Sequence, residues 1–378
     1  MNKPSATGRV VTSAQVAAFR LGRQHLAARR ETDLIRVCSD VCGMQAQLMP
    51  AAHAALWARV RNLAPGAIEA ALWRDRSLVK VLCMRQTVHL VPAREFSLYM
   101  VAVRRSRVAA VVRIMERFNI TARDRETLDR VTMEMLKGGA LTLRELSARV
   151  RPRVSRRVQA WMARVWNPMR LALVEGLVCY GPERGREVTI VRVDQWLPGV
   201  KRVDEKVAQR LLLKKYLRAY GPATLRDFSH WSGIPVAEAR DAWNALTGRL
   251  ERIVIEGQEA WLLREDLKAL AHSKLRTPTV RLLAAFDPFL LAHSEKDHLI
   301  EPRFYRRVYR GLGWVAPVVL VNAAVAGTWT RSRRAGRLAI TVQPFAKLTR
   351  QICEGIEEEA ASLGRFWNAE PAIEIAKP

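Results

Sequence analysis

The sequence predicts an α+β chain made of repeated helix–turn–helix–hairpin units followed by a strand-rich end. A repeated six-residue motif, its matching flanks and a change of pattern after about residue 276 carry that reading. Thr142-Leu-Arg-Glu-Leu-Ser147 returns 82 residues later as Thr224-Leu-Arg-Asp-Phe-Ser229. Each copy follows a glycine (Gly139, Gly221) and an amphipathic segment, 128–136 or 211–220. Threonine with an acid three places on is the capping-box signature of a helix N-terminus. A second helical segment comes next, 158–174 or 236–246, and each unit ends in two strand-like runs around a polar turn. Those runs are 177–180 with 188–193, and 250–255 with 260–263. Helix, turn, helix and hairpin is the winged-helix plan. The N-terminal third reads the same way, with helices over 33–44 and 65–74 and strands over 78–82 and 87–91. Three tandem winged-helix modules, 1–120, 121–200 and 201–275, are therefore expected. Residues 276–378 are read as a β-rich segment (280–286, 318–325, 338–342) with a terminal helix over 354–366. A hairpin over 327–337 would present Arg331, Arg333, Arg334 and Arg337 at its tip. Such a tip suits a groove or a phosphate row, and suits equally the protection of an edge strand.

Composition sets the class of partner. Hydrophobic residues make up 49% and charged residues 26%, the balance of an ordinary globular chain rather than a disordered one. The 63 Lys and Arg against 36 Asp and Glu leave a formal charge of +27, and 51 of the basic residues are arginines. The excess is not confined to a tail. Residues 1–120 carry 19 basic and 7 acidic groups, 121–200 carry 15 and 9, 201–275 carry 14 and 10, and 276–378 carry 15 and 10. A surface this cationic favours polyanions, nucleic acid first. The run Arg149, Arg151, Arg153, Arg156, Arg157 is the leading candidate for phosphate contact.

Five scattered cysteines (Cys38, Cys42, Cys83, Cys179, Cys353) indicate no disulfide framework. The longest apolar run, 314–326, is short of a membrane span. The first 30 residues lack Asp and Glu, as organellar leaders do, but Val16, Phe19, Leu21 and Leu26 fit a first amphipathic helix. The expectation is a cytoplasmic protein with no cleaved leader, not associated with a membrane. His293, Glu295, Asp297 and His298 lack a fixed ligand spacing, so no metal and no cofactor is expected.

General catalytic signatures are absent: no phosphate-binding Gly-Lys loop, no G-x-G-x-x-G, no H-E-x-x-H and no G-x-S-x-G. One segment stands out, Val41-Cys-Gly-Met-Gln45-Ala-Gln47-Leu-Met-Pro50, followed by His53 and Arg59. Glutamines two apart share a face only where the chain is extended, and Gly43 and Pro50 favour a break from helix there. Two carboxamides on one face can hold a water, a ribose or a base edge. This segment resembles the Gln-φ-Gln motif, φ being hydrophobic, of the AlkZ-like DNA glycosylases, a winged-helix family. Arg85-Gln-Thr87-Val-His89-Leu-Val-Pro92, Phe286-Asp287-Pro288-Phe289 and Gly327-Thr-Trp329 match as well, in order along the chain. The related YcaQ-like branch carries Gln-φ-Asp, so Gln47 makes the chain similar to the AlkZ branch.

The resemblance implies that Gln45 and Gln47 are catalytic and that His53, Arg85, Thr87, His89 and Asp287 are candidate neighbours of the site. His89 in its apolar run also reads as a core histidine, and Asp287 before Pro288 as a cap. A carboxamide has no useful pKa and cannot act as a general base, but it can position a water. That help suffices where the leaving group is already activated, as in a cationic N7-alkylguanine. The implied function is a monofunctional DNA glycosylase on duplex DNA, a monomer, removing bulky natural-product adducts or interstrand crosslinks as self-resistance. The alternative is a non-catalytic winged-helix transcriptional regulator, which explains charge and modules but not the paired glutamines. An RNA-binding protein ranks last, for want of an aromatic RNA-recognition signature.

Overall fold

A computed structural model describes residues 8–30, 33–275, 278–334 and 337–378. The chain divides into two compact units. One comprises residues up to 68, 213–231 and 236–378; the other comprises 69–212 and 232–235.

In the first unit, two sheets frame the core. Leu250–Ile255 and Gln258–Leu263 form the hairpin expected from their alternation, in register from Leu250 opposite Leu263 to Ile255 opposite Gln258. The chain's first strand, Arg9–Val11, adds to this hairpin in parallel, Val10 beside Val254. The helix Ser13–Arg23 follows at once, with Thr12 and Gln15 forming a capping box. Its Val16 and Phe19 pack with Ile253, Leu262 and Leu270. The second sheet runs Val280–Leu283, Val318–Val321, Ala324–Arg334, Arg337–Pro344, Glu370–Ile375. The last two strands are parallel and are joined by the helix Arg350–Phe366, a strand–helix–strand crossover. The closing strand Glu370–Ile375 was not expected, and the helix starts at Arg350, where Thr349 caps it, rather than at 354. Trp329, matched in sequence, is a core residue whose indole N–H donates to the Leu283 carbonyl at 2.8 Å.

The second unit is helical around an antiparallel sheet. Its strands lie in the order Val88–Pro92, Leu78–Leu82, Val178–Arg184, Glu187–Arg192, Leu141–Thr142. The long helix Phe96–Arg117 and the helices Ala122–Met135 and Leu143–Val150 pack around a core of Leu82, Met115, Leu128, Leu146, Trp161 and Leu173. The capping box over the first repeat copy is present: Glu145 N–H donates to the Thr142 hydroxyl at 3.1 Å, and Thr142 N–H to the Glu145 carboxylate at 2.8 Å. In the other copy, which belongs to the first unit, Asp227 N–H donates to the Thr224 hydroxyl at 3.1 Å and Thr224 N–H to Asp227 at 2.9 Å.

Two expected helices are interrupted or cut well short of the pattern. The segment 158–174 is split into Arg156–Met162 and Arg170–Glu175. Pro168 cannot donate to a preceding turn, and the Asn167 side chain accepts the Met169 N–H instead. The segment 33–44 is helical only over Leu34–Asp40, for the reason that builds the site.

Candidate active site

The glutamine segment sits in a break between two helices. Asp33 caps the helix Leu34–Asp40 by accepting from Ile35 N–H and Arg36 N–H at 2.9 and 3.0 Å. The helix ends because Cys42 and Gly43 both take left-handed backbone, φ 59° and 88°. In that turn Gly43 N–H reaches back to the Cys38 carbonyl at 2.8 Å. Tyr220, on the helix Glu205–Tyr220, donates its hydroxyl to the Val41 carbonyl at 2.6 Å. The chain then runs extended through Met44–Gln45 and enters the helix Met49–Trp57, with Pro50 in its first turn. The two carboxamides differ in depth. Gln45 is 7% exposed, Ala46 is buried at 1%, and Gln47 is exposed. The middle residue thus anchors the segment in the core while the second glutamine stands in water. His53 lies half-buried on the helix that follows.

That helix is fixed at its far end by a residue to which the sequence reading assigned no role. Arg59 is fully buried and donates to the Ala55 carbonyl at 2.8 Å, a cation at a helix C-terminus. Its two terminal nitrogens also bind Asp287 in a bidentate pair, at 2.8 and 2.6 Å. Asp287 is 0% exposed and accepts from Phe289 N–H at 2.9 Å. Of the two readings made for Asp287, cap and cleft residue, the geometry is that of the cap. The Phe-Asp-Pro-Phe signal marked the position; its buried cationic partner was invisible without tertiary contacts.

Arg85, Thr87 and His89 belong to the second unit. Arg85 and Gln86 turn the chain between two strands with φ of 51° and 59°. Gly233, itself at φ 77°, packs so close that a Cβ there would lie 3.0 Å from the Arg85 nitrogen. Thr87 donates its hydroxyl to the Met84 carbonyl at 3.1 Å. His89 pairs across the sheet with Val81 and is 2% exposed. Its Nδ1 lies 3.0 Å from the Thr87 carbonyl, so the neutral ring donates there and Nε2 keeps its lone pair. Burial, helped by the cation of Arg85, pushes its pKa down to about 3. His89 is therefore a neutral hydrogen-bonding group.

All five arginines of the 149–157 run are exposed. Arg153 pairs with Glu134 at 3.1 Å, and Arg157 donates to the Asn119 carbonyl at 2.8 Å. Arg149, Arg151 and Arg156 make no ion pair among the described residues. Arg156 and Arg157 open a helix whose N-cap is Ser155. The strands Ala324–Arg334 and Arg337–Pro344 form the expected hairpin. Its arginines have different surroundings: Arg331 stacks on the Trp367 ring at 3.8 Å, and Arg337 pairs with Glu370 at 3.3 Å. Arg333 is exposed, and the side chain of Arg334 lies outside the described residues. His293 and His298 pack edge to face at 4.8 Å, and burial drives both pKa values down. No group of three or more metal-ligating side chains occurs among the described residues. No helix there is long and apolar enough to cross a membrane.

The comparisons with known proteins point one way. Residues 38–366 match the family model of AlkZ-like DNA glycosylases. A Streptomyces sahachiroi protein, the interstrand DNA cross-link repair glycosylase, is 28% identical over 369 residues, covering 93% of this chain and 95% of that one. The solved structure of the S. sahachiroi DNA glycosylase AlkZ superposes with a TM-score of 0.85 at 26% identity, over 97% of this chain and all of that one. With the match spanning both units and the glutamine segment, the chain belongs to the AlkZ-like DNA glycosylase family.

Proposed function

We propose that this chain is a monofunctional DNA glycosylase that hydrolyses the N-glycosidic bond of N7-alkylguanine in duplex DNA. The observation that carries it is the glutamine pair, set between a left-handed turn and a proline-started helix, with Gln45 recessed and Gln47 in solvent. Neither group can take a proton as a base. Gln47, reached by water, would orient the attacking molecule, and the recessed Gln45 would set its carbonyl dipole against the developing oxocarbenium charge. The reaction joins water oxygen to the sugar C1′ and breaks the bond to the base nitrogen. The bond's electron pair leaves with the cationic guanine, which becomes neutral, and the water proton passes to solvent. Unmodified guanine lacks that activated leaving group and is not a substrate.

The relative's name, an interstrand DNA cross-link repair glycosylase, supports bulky adducts or crosslinks as the substrate class. Self-resistance to a DNA-alkylating natural product is the role that the family resemblance implies. The helix–helix–hairpin units over 121–200 and 201–275, with a first module in 1–120, support three winged-helix modules on the duplex. The exposed arginines of the 149–157 run would lie on phosphates, and the enzyme would work as a monomer in the cytoplasm, on the nucleoid. The test is base release from duplexes carrying a site-specific N7-alkylguanine, small or bulky, read as alkali-labile sites above spontaneous depurination. Release by the wild type, with Gln45→Ala and Gln47→Ala each falling about 100-fold while DNA binding is kept, is the expected result. Background rates on every adduct, with tight binding to one undamaged sequence, would point to a regulator instead.

A further inference from the structure

Leu312 is the most exposed large hydrophobic residue described, at 110% relative exposure. It also holds left-handed backbone, φ 58°. The fold therefore keeps a leucine where water disfavours its side chain and sterics disfavour its backbone, although glycine or asparagine would fit better. It forms the centre of a Gly311–Gly313 tip with open space around both glycines.

The stalk beneath this tip is braced by backbone pairing and ring contacts. Tyr309 and Val315 form an antiparallel bridge. Arg310 N–H donates to the Trp314 carbonyl at 2.8 Å, Ala316 N–H to Val308 at 2.9 Å, and Trp314 N–H closes the tip on Gly311 at 3.3 Å. Tyr309 stacks on Tyr305 at 4.8 Å and donates its hydroxyl to the Leu290 carbonyl at 2.8 Å. Trp314 sets its ring edge-on to Phe286 at 5.1 Å. Phe286 and Leu290 flank Asp287, whose pair with Arg59 also fixes the helix following Gln47. Stalk and glutamine segment are thus built on one buried anchor.

The approach to the tip is cationic. Residues 302–314 hold Arg303, Arg306, Arg307 and Arg310 and no acid. Arg306 and Arg310 are exposed and make no ion pair among the described residues. A solvent-borne apolar tip on a braced stalk, with the exposed Arg306 and Arg310 on the segment leading to it, matches a duplex whose stack can be parted and whose phosphates lie on either side.

We propose that Leu312 is an apolar wedge that enters the base stack beside a damaged nucleotide while Arg306 and Arg310 hold the flanking phosphates. This rests on the DNA-glycosylase reading and names the device by which the enzyme would open its substrate. Leu312 is a positioning residue and touches no reacting atom.

The experiment needs no catalysis. A duplex carries 2-aminopurine beside a tetrahydrofuran abasic-site analogue, and its fluorescence is followed to saturation with full-length protein. Wild type is expected to raise the signal severalfold. Leu312→Gly should abolish the rise with affinity changed less than about threefold, and Leu312→Phe should keep it. Arg306→Ala with Arg310→Ala should weaken binding about tenfold or more at moderate salt. Removing an exposed side chain from left-handed backbone leaves folding intact, so Leu312→Gly should melt no lower than wild type. Saturation by wild type without a rise, or an unchanged rise in Leu312→Gly, overturns the wedge. A Leu312-dependent rise without base release from any alkylated duplex leaves the wedge standing and sinks the glycosylase reading. Base release by Leu312→Gly at the wild-type rate does the reverse.

Discussion

Arg59 and Asp287, 228 positions apart, meet as a bidentate ion pair in which neither side chain reaches solvent. One residue closes the helix after the glutamine segment; the other caps Pro288–Leu291. Removing either partner strands a buried charge, so Arg59→Met and Asp287→Leu should each destabilise by about 3–5 kcal/mol. The double variant should lose clearly less than the sum. Urea unfolding of the four proteins of this cycle checks it, and additive losses would mean the pair is not coupled.

The glutamines should separate stability from activity. Gln47 is exposed, so Gln47→Ala should leave the unfolding free energy within about 0.5 kcal/mol of wild type while base release collapses. Gln45 is recessed, and Gln45→Ala should lower both, stability by about 1–3 kcal/mol. Thermal melts run beside the release assay decide this. Equal stability losses in the two variants would contradict the difference in depth.

His89 makes a pH prediction with a definite sign. Its folded pKa lies at about 3, below the unfolded value of about 6.5, so native protein resists the proton that unfolded chain accepts. Its stability contribution is complete above about pH 6.5 and declines as pH falls toward 3. Replacement by Gln should flatten that part of the acid limb of a melting-temperature profile. His89 should also produce no inflection in the base-release rate between pH 5.5 and 7.5, and a step there that vanishes with the histidine would count against a neutral ring.

The arginines of the 149–157 run should not be equivalent. Arg156, without an ion-pair partner among the described residues, should on replacement by Ala reduce the slope of log affinity against log salt by about 1. Arg153 already shares Glu134, so Arg153→Ala should change the slope less. Anisotropy titrations at several salt concentrations measure both.

Much of this was legible because its signals are local. The capping boxes at Thr142 and Thr224 and the hairpin over residues 250–263 follow from spacing within a few residues, and each lies where that spacing predicted. The expectation for 158–174 missed its break because periodicity outweighed the single Pro168. The strand Glu370–Ile375 carries little apolar alternation; its register beside Arg337–Pro344 is set by the partner strand.

What the sequence by itself determined was the cationic surface that favours a polyanionic partner, the mixed α+β composition, the turn around Gly43 and the glutamine pair. These depend on charge count, capping chemistry and neighbours a few positions apart. Tertiary structure alone decided that Gln45 is recessed while Gln47 is wet, that Arg59 owns Asp287, that His89 is neutral, and that Leu312 stands in solvent on a braced stalk. Burial and long-range pairing are properties of surfaces brought together from distant segments. No local pattern encodes which of them will meet.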